Sequence, residues 1–368
     1  MIRVLQVIHS MNLGGAENFI MNIYRVIDKT KIQFDFLVNT PGTFDEEIRR
    51  MGGNIWMIPY VNKVGPFRYR SELKRFFSEH PEYQVIHSHL DTVSGEVIQC
   101  AKQAGVQRCI THSHNTATTG NMAVQLLKKY YQKKIPRYAD VCLACSEQSG
   151  KWLYRNDRAI VINNGIDLKK FQFRVDIRKK VRMQYQISEQ AFVIGHVGRF
   201  SKVKNHRFLV ELFESYHRRH ENTVLLLCGS GEEKDRLERL VADKRLTDHV
   251  IFFDAATDVY KMYNAMDVFV FPSVFEGISL AMLEAQVNGL PIVASDSLDP
   301  KNALTDHVTF LSLDDSREAW TAAIEGVVLR GRVDGREALE MGGYDIRQCA
   351  DKLVQYYQQL SGIFEDCV

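Results

Sequence analysis

Short apolar runs alternate with stretches of helical period along nearly the whole chain. Residues 4–8, Val-Leu-Gln-Val-Ile, suit a parallel strand covered on both faces. A helical pattern comes next, through Phe19, Ile20, Ile23, Val26 and Ile27. Further strands are predicted at 34–38, 54–58, 84–89, 109–114, 141–145 and 159–162, with helices over 44–51, 69–80, 92–104 and 121–135 between them. A turn cluster at 163–167 and a charged stretch to about Gln190 then read as a linker. After it the alternation restarts, with strands at 192–197, 223–228, 250–253, 268–271 and 290–294 and helices at 206–220, 232–244, 259–265 and 279–286. A last helix is predicted at 346–360. Two rounds of strand–helix alternation predict an α/β protein of two doubly wound domains, 1–168 and 169–345.

Length and composition agree with two soluble globular domains: 368 residues, 45% hydrophobic and 25% charged. A net charge of +2 gives no reason to expect nucleic acid as a partner. Seven scattered cysteines suit a reducing cytoplasm, and the Cys142-x-x-Cys145 pair lies in an apolar run, as buried thiols do. Arg3 precedes a short apolar stretch without a small-residue cleavage site, so no secretory leader is expected there. No stretch reaches the roughly 18 apolar residues of a membrane span.

The chemically suggestive residues cluster after predicted strands. In open α/β sheets ligands bind outside the carboxyl ends of the strands, so these segments are expected to face one interdomain cleft. The clearest is FPSVFEGISLAMLEAQVNGLPIVASD, residues 271–296. Glu276 lies in its loop and Glu284 in its helix, and the N–H groups of Gly277, Ile278 and Ser279 are placed to face a phosphate. Two carboxylates beside an anion site suit a nucleotide sugar. Glu284 can accept from two ribose hydroxyls, and Glu276 can do the same for the sugar. Arg199 and Lys204, in the loop after 192–197, can neutralise a diphosphate leaving group. Ser230, Gly231 and the stretch 256–259, ending at Val259, are candidate walls for the base. Gly14 and Gly15 let backbone approach a ligand closely, although they do not form GxGxxG.

Two histidine pairs also lie at predicted strand ends: His87-Ser88-His89-Leu90-Asp91 and His112-Ser113-His114. Residues two apart on a strand share a face, which suits a metal pair. HxHxD resembles the metallo-β-lactamase-type hydrolases, but position 92 is Thr where that motif continues with another His. The plainer expectation is one structural and one cleft-facing His in each pair. No Asp-x-Asp occurs, which agrees with Arg, Lys and a helix dipole replacing a metal ion.

Taken together, FEGISLAMLEA, VGRFSKVKN, NLGGAE and VINNGIDLKKF, in their places along the chain, resemble the motifs of the GT-B glycosyltransferases of family 4, the retaining group that uses nucleotide sugars. The style is that of bacterial exopolysaccharide and capsule transferases, which carry a similar HSHN. The resemblance implies Arg199, Lys204 and Gly15 on the diphosphate, Glu284 on the ribose, Glu276 on the donor sugar, and His114 near the anomeric centre with His112 second. Glu17, His89 and His112 are the acceptor-side candidates. Ser279 stands where the family often has a glycine, which bears on the phosphate contacts. The resemblance also implies a last helix, about 346–368, returning to the first domain. The expected activity is hexosyl transfer from a UDP-sugar to a glycan or lipid-linked acceptor, with no cofactor or metal ion. A metal-dependent hydrolase and a nucleotide-sugar epimerase are the alternatives. The protein is expected to be cytoplasmic, and its basic, aromatic-interleaved helix at 121–135 reads equally as a peripheral contact with the inner face of the plasma membrane or as a solvated helix face.

Overall fold

The structure, a computed structural model, describes residues 1–12, 14–117, 120–155, 159–254 and 258–361. It contains two wholly parallel sheets in two compact units. The first unit comprises Met1–Gly165 and the final helix Ile346–Ser361; the second is Ile166–Asp345.

The first sheet has seven strands: β1 Ile2–Val7, β2 Ile32–Val38, β3 Ile55–Met57, β4 Val85–Ser88, β5 Arg108–Ser113, β6 Val141–Ala144 and β7 Ile160–Val161. Their order is β3-β2-β1-β4-β5-β6-β7. The alternation of side chains sends Val4, Phe34, Phe36, Val85 and Ile110 to one face and Leu5, Leu37, Ile86 and Cys109 to the other. Helix Gly15–Val26 covers the first face together with the final helix, whose Ile346, Cys349, Leu353 and Tyr357 recur at helical spacing. Helices Val61–Glu79 and Ser94–Gln103 cover the second face. Helix Val61–Glu79 begins well before the predicted 69, because a turn of helix precedes a break at Gly65, where φ is 78° and Pro66 is next in the chain.

The second sheet has six strands: β8 Phe192–Val197, β9 Thr223–Cys228, β10 Val250–Phe253, β11 Val268–Phe271, β12 Ile292–Ser295 and β13 Val308–Leu311. Their order is β10-β9-β8-β11-β12-β13. In both sheets the order reverses once, between β1 and β4 and between β8 and β11. In sheets of this kind the usual ligand position is at such a reversal, outside the carboxyl ends of the strands.

The charged stretch up to Gln190 is not a linker. Asp167 accepts from the N–H groups of Lys169 and Lys170, both at 3.1 Å, and so caps helix Leu168–Phe171. Helix Val175–Gln184 packs against helix Val259–Ala265 of the same unit. Its Arg182 is buried and donates to the carbonyls of Ser188, Glu189, Ala191 and Ala265 and to Asp267 Oδ2 at 2.7 Å. Arg178 takes Asp267 Oδ1 at 2.5 Å. These two arginines are spent on backbone carbonyls and one aspartate rather than on water.

Arg182→Ala is therefore expected to destabilise the second unit by about 3 kcal/mol, the usual scale for removing one partner of a buried pair. Calorimetric unfolding reads this directly. A transition within about 0.5 kcal/mol of wild type, the range of ordinary surface substitutions, would show that the clamp contributes nothing.

Candidate active site

In the second unit the loops after β8, β9 and β11 are bound to one another. Gly198 N–H donates to Cys228 O at 2.9 Å, Phe200 N–H to Ser230 O at 2.9 Å, and Val274 N–H to Val203 O at 2.8 Å. Only glycine fits two of these crossings. A Cβ on Gly229 would lie 2.0 Å from Gly198 O, and one on Gly231, whose φ is 153°, would lie 2.4 Å from Phe200 O.

This packing brings the Arg/Lys loop to the glutamate loop. Lys204 Nζ lies 2.8 Å from Glu276 Oε1 and 4.6 Å from the centre of the Phe271 ring. Arg199 turns the other way, exposed, and meets Glu232 at 3.1 Å. Arg199 and Lys204, the two candidate phosphate-binding cations, thus each already hold a carboxylate.

Helix Leu280–Val287 begins at Ser279, whose own side chain makes no capping hydrogen bond among the described residues. The N–H groups of its first turn have no partner within the helix. Ser279 itself is a correction to the sequence expectation: its N–H is not available to a phosphate, because it donates to Asn302 Oδ1 at 2.7 Å. Asn302 Nδ2 also donates to Gly277 O at 2.7 Å. Asn302 thus braces the turn, and nothing in its local sequence marks it for this role. Gly277 is exposed with open space beside its Cα, and Ile278 packs partly on the core.

Glu284 sits in the second turn of that helix, half-buried, and its Oε2 accepts from Tyr263 Oη–H at 2.7 Å. Burial pushes its pKa up to about 7, against the pull of the Tyr263 hydrogen bond and the Lys170 charge. Tyr263 and Lys170 are further residues that the sequence did not single out. Val259 opens helix Val259–Ala265, half-buried against the core. Ala256 and Thr257, proposed beside it as walls for a base, lie outside the described residues.

In the first unit a cavity of about 500 Å³ opens at the ends of β1, β4 and β5, where the strand order reverses. Gly15, Glu17, His89, Asp91 and His114 are among its walls. Gly14 forms the N-cap of helix Gly15–Val26, and a Cβ there would lie 2.2 Å from Glu17 Oε2. Desolvation raises the Glu17 pKa.

His112 does not reach this cavity. It is buried in β5, with Phe19 edge-on at 5.1 Å and the His114 ring stacked at 4.3 Å, and neither ring nitrogen has a hydrogen-bond partner among the described residues. Its placement as an acceptor-side residue is therefore corrected. Strand alternation puts His112 and His114 on one face, but only His114 lies beyond the strand end, where the sheet opens. Burial holds His87, His89 and His112 well below the ordinary imidazole pKa, and His114 at about 3, so all four rings are neutral at pH 7.

Nitrogens of His87, His89 and His112 lie within 4.8 Å of one another, near enough to invite a metal reading. Both nitrogens of His89 are already engaged, to His114 Nε2 at 2.8 Å and Gln6 Oε1 at 2.9 Å. Asp91, the carboxylate of HxHxD, turns away to His114 N–H at 3.0 Å and Asn115 Nδ2 at 2.6 Å, with a left-handed φ of 46°. The donor set lacks the carboxylate that the hydrolase reading needs.

Comparison with known proteins agrees with this architecture. Residues 13–170 match the family described as Glycosyltransferase Family 4, and residues 177–340 match Glycosyl transferases group 1. EpsF of Bacillus subtilis (strain 168), named as a putative glycosyltransferase, is 33% identical over 368 residues, covering 96% of each chain. An Escherichia coli protein is 29% identical over 231 residues, covering 58% of each chain. It is named UDP-Gal:alpha-D-GlcNAc-diphosphoundecaprenol alpha-1,3-galactosyltransferase. Among solved structures, Anabaena HepE in complex with UDP-glucose superposes with a TM-score of 0.77 at 17% identity, over 98% of this chain and 100% of that one. With two doubly wound units, strand-end loops joined by a Lys–Glu pair and relatives over almost its full length, the chain belongs to the family 4 glycosyltransferases of GT-B fold.

Proposed function

We propose that this glycosyltransferase moves a hexose from a UDP-sugar to a glycan or lipid-linked acceptor, with retention of configuration and without a metal ion, in the synthesis of a bacterial surface polysaccharide. The observation that carries the reading is the Lys204–Glu276 pair at the ends of β8 and β11, beside the start of helix Leu280–Val287. A diphosphate arriving there takes Lys204 from Glu276 and Arg199 from Glu232. The first-turn N–H groups add their dipole. Glu276, released, is free to accept from hydroxyls of the donor sugar. Glu284 takes the ribose hydroxyls, and Ser230, Gly231 and Val259 flank the base. The first unit's cavity, with Glu17, His89 and His114, receives the acceptor.

The charges dictate the chemistry. As the bond from the anomeric carbon to the diphosphate loosens, negative charge grows on the leaving oxygens, and Lys204 and Arg199 stabilise it. The leaving phosphate oxygen takes the acceptor's proton, and attack on the same face retains configuration. The UDP-linked donor and lipid-linked acceptor are supported by the printed name of the Escherichia coli relative and by the UDP-glucose bound to HepE. Membrane contact is supported by helix Met122–Gln132, where Met122, Leu126 and Tyr130 stand exposed at a spacing of four beside Lys129 and near Lys133.

Lys204→Ala and Arg199→Ala should each lower kcat/KM for transfer by about 100-fold, the scale for removing one preorganised charge donor. Transfer by Lys204→Ala at the wild-type rate would remove the diphosphate assignment. Binding should also depend on pH through Glu284. Below its pKa of about 7 the protonated carboxyl loses acceptor capacity, so UDP-glucose affinity falls as the solution is acidified through that value. Calorimetric titration on either side of it should show that fall in wild type and a flat profile in Glu284→Gln. An equal slope in both would place the ribose elsewhere. Cosedimentation with vesicles containing anionic lipid at low salt checks the membrane contact, which fails if the protein stays in the supernatant.

A further inference from the structure

The face of the first sheet that carries the four histidines is buried, yet it holds a row of polar side chains. Gln6 of β1 is paired in register with His87 of β4. Ser88 is paired with Thr111, so the next residues, His89 and His112, lie across from one another. His114 comes two residues later on the same face. Tyr357 descends onto this row from the final helix and is itself fully buried. A polar row in such a place is costly unless its members bond to one another.

Four contacts join five of them. Gln6 Nε2 donates to Tyr357 Oη at 3.2 Å, and Tyr357 Oη lies 2.7 Å from His87 Nδ1. Gln6 Oε1 lies 2.9 Å from His89 Nε2, and His89 Nδ1 lies 2.8 Å from His114 Nε2. A neutral imidazole has one donor and one acceptor nitrogen, so each contact fixes the next. Gln6 Oε1 can only accept, so His89 carries its proton on Nε2. His89 Nδ1 is then bare and accepts from His114 Nε2–H. His114 Nδ1 is left without a proton. It has no partner among the described residues, it is not sealed from solvent, and its ring lines the cavity. At the other end, Tyr357 Oη accepts from Gln6 and donates its own proton to His87 Nδ1.

We infer that Gln6 and Tyr357 are positioning residues that hold His114 in its Nε2–H form, so that Nδ1 presents a bare lone pair to a substrate hydroxyl in the first unit's cavity. The identity of that hydroxyl as the glycan acceptor's rests on the proposed function; the tautomer does not. The final helix, at the far end of the sequence, thereby sets the hydrogen-bonding sense of a residue in the cavity. Burial keeps the rings neutral, so no additional proton interrupts the order.

The test is long-range nitrogen–proton NMR on protein labelled with ¹⁵N-histidine, with His114 assigned from the signal lost in His114→Asn. In wild type, His114 Nδ1 should resonate as unprotonated and Nε2 as protonated. In Tyr357→Phe and Gln6→Met the Gln6 amide is freed or absent, and both His114 signals should move toward the exchange average. Gln6→Glu keeps an accepting oxygen toward His89 and should preserve the wild-type pattern. In the transfer assay, Tyr357→Phe should lower kcat/KM for acceptor about tenfold, the weight of roughly one hydrogen bond, with the donor KM unchanged. A proton on His114 Nδ1 in wild type overturns the inference. So do unchanged signals in folded Tyr357→Phe and Gln6→Met. The spectra need no turnover, so the predicted signals without any sugar transfer would overturn the proposed function and leave the tautomer assignment standing.

Discussion

Every strand in the described residues runs parallel to its neighbours, and this single constraint places the chemistry. Parallel strands all finish on one edge of their sheet, and a reversal of strand order leaves a crevice there. In the second unit the reversal sets the loop after β8 beside the loop after β11, and so Lys204 meets Glu276 although three strands and three helices lie between them in the chain. In the first unit the same reversal opens the cavity that holds Glu17, His89 and His114. The strands are apolar over most of both faces, and the charged chemistry is left to the loops and helix starts at their ends.

The two candidate regions use opposite electrostatic strategies. The second unit keeps its charges and pairs them: Lys204 with Glu276, Arg199 with Glu232. The first unit removes charge by burial, so that four imidazoles stay neutral and interact only through hydrogen bonds or stacking. Glu284 lies between these extremes, because burial and the Tyr263 hydroxyl oppose one another at a single carboxyl.

The strands were legible because a doubly buried parallel strand is apolar along most of its length, and the pairing of the Arg/Lys loop with the Glu loop was legible from their places after strands. What escaped depends on partners far along the chain. Arg182 sits in a run of charge that reads as solvated, and its partners at Ala265 and Asp267 are invisible locally. Asn302 reaches back to Ser279 and Gly277 in the same way. β13 is a half-buried edge strand, so it lacks the continuous apolar run that marks the others. His112 and His114 look equivalent by alternation; depth along β5 separates them, and alternation carries no information about depth.

The internal pairing of Lys204 and Glu276 has a consequence for selectivity. The resting loop is already neutralised by its own carboxylate, so a small stray anion gains little by displacing it. The diphosphate of the proposed donor would instead engage Lys204, Arg199 and the helix dipole together and recover several contacts from one act of binding. Under the proposed donor site, Glu276 would thus act as a built-in competitor that yields Lys204 only to a sufficiently long polyanion and is then free to meet the rest of the same molecule.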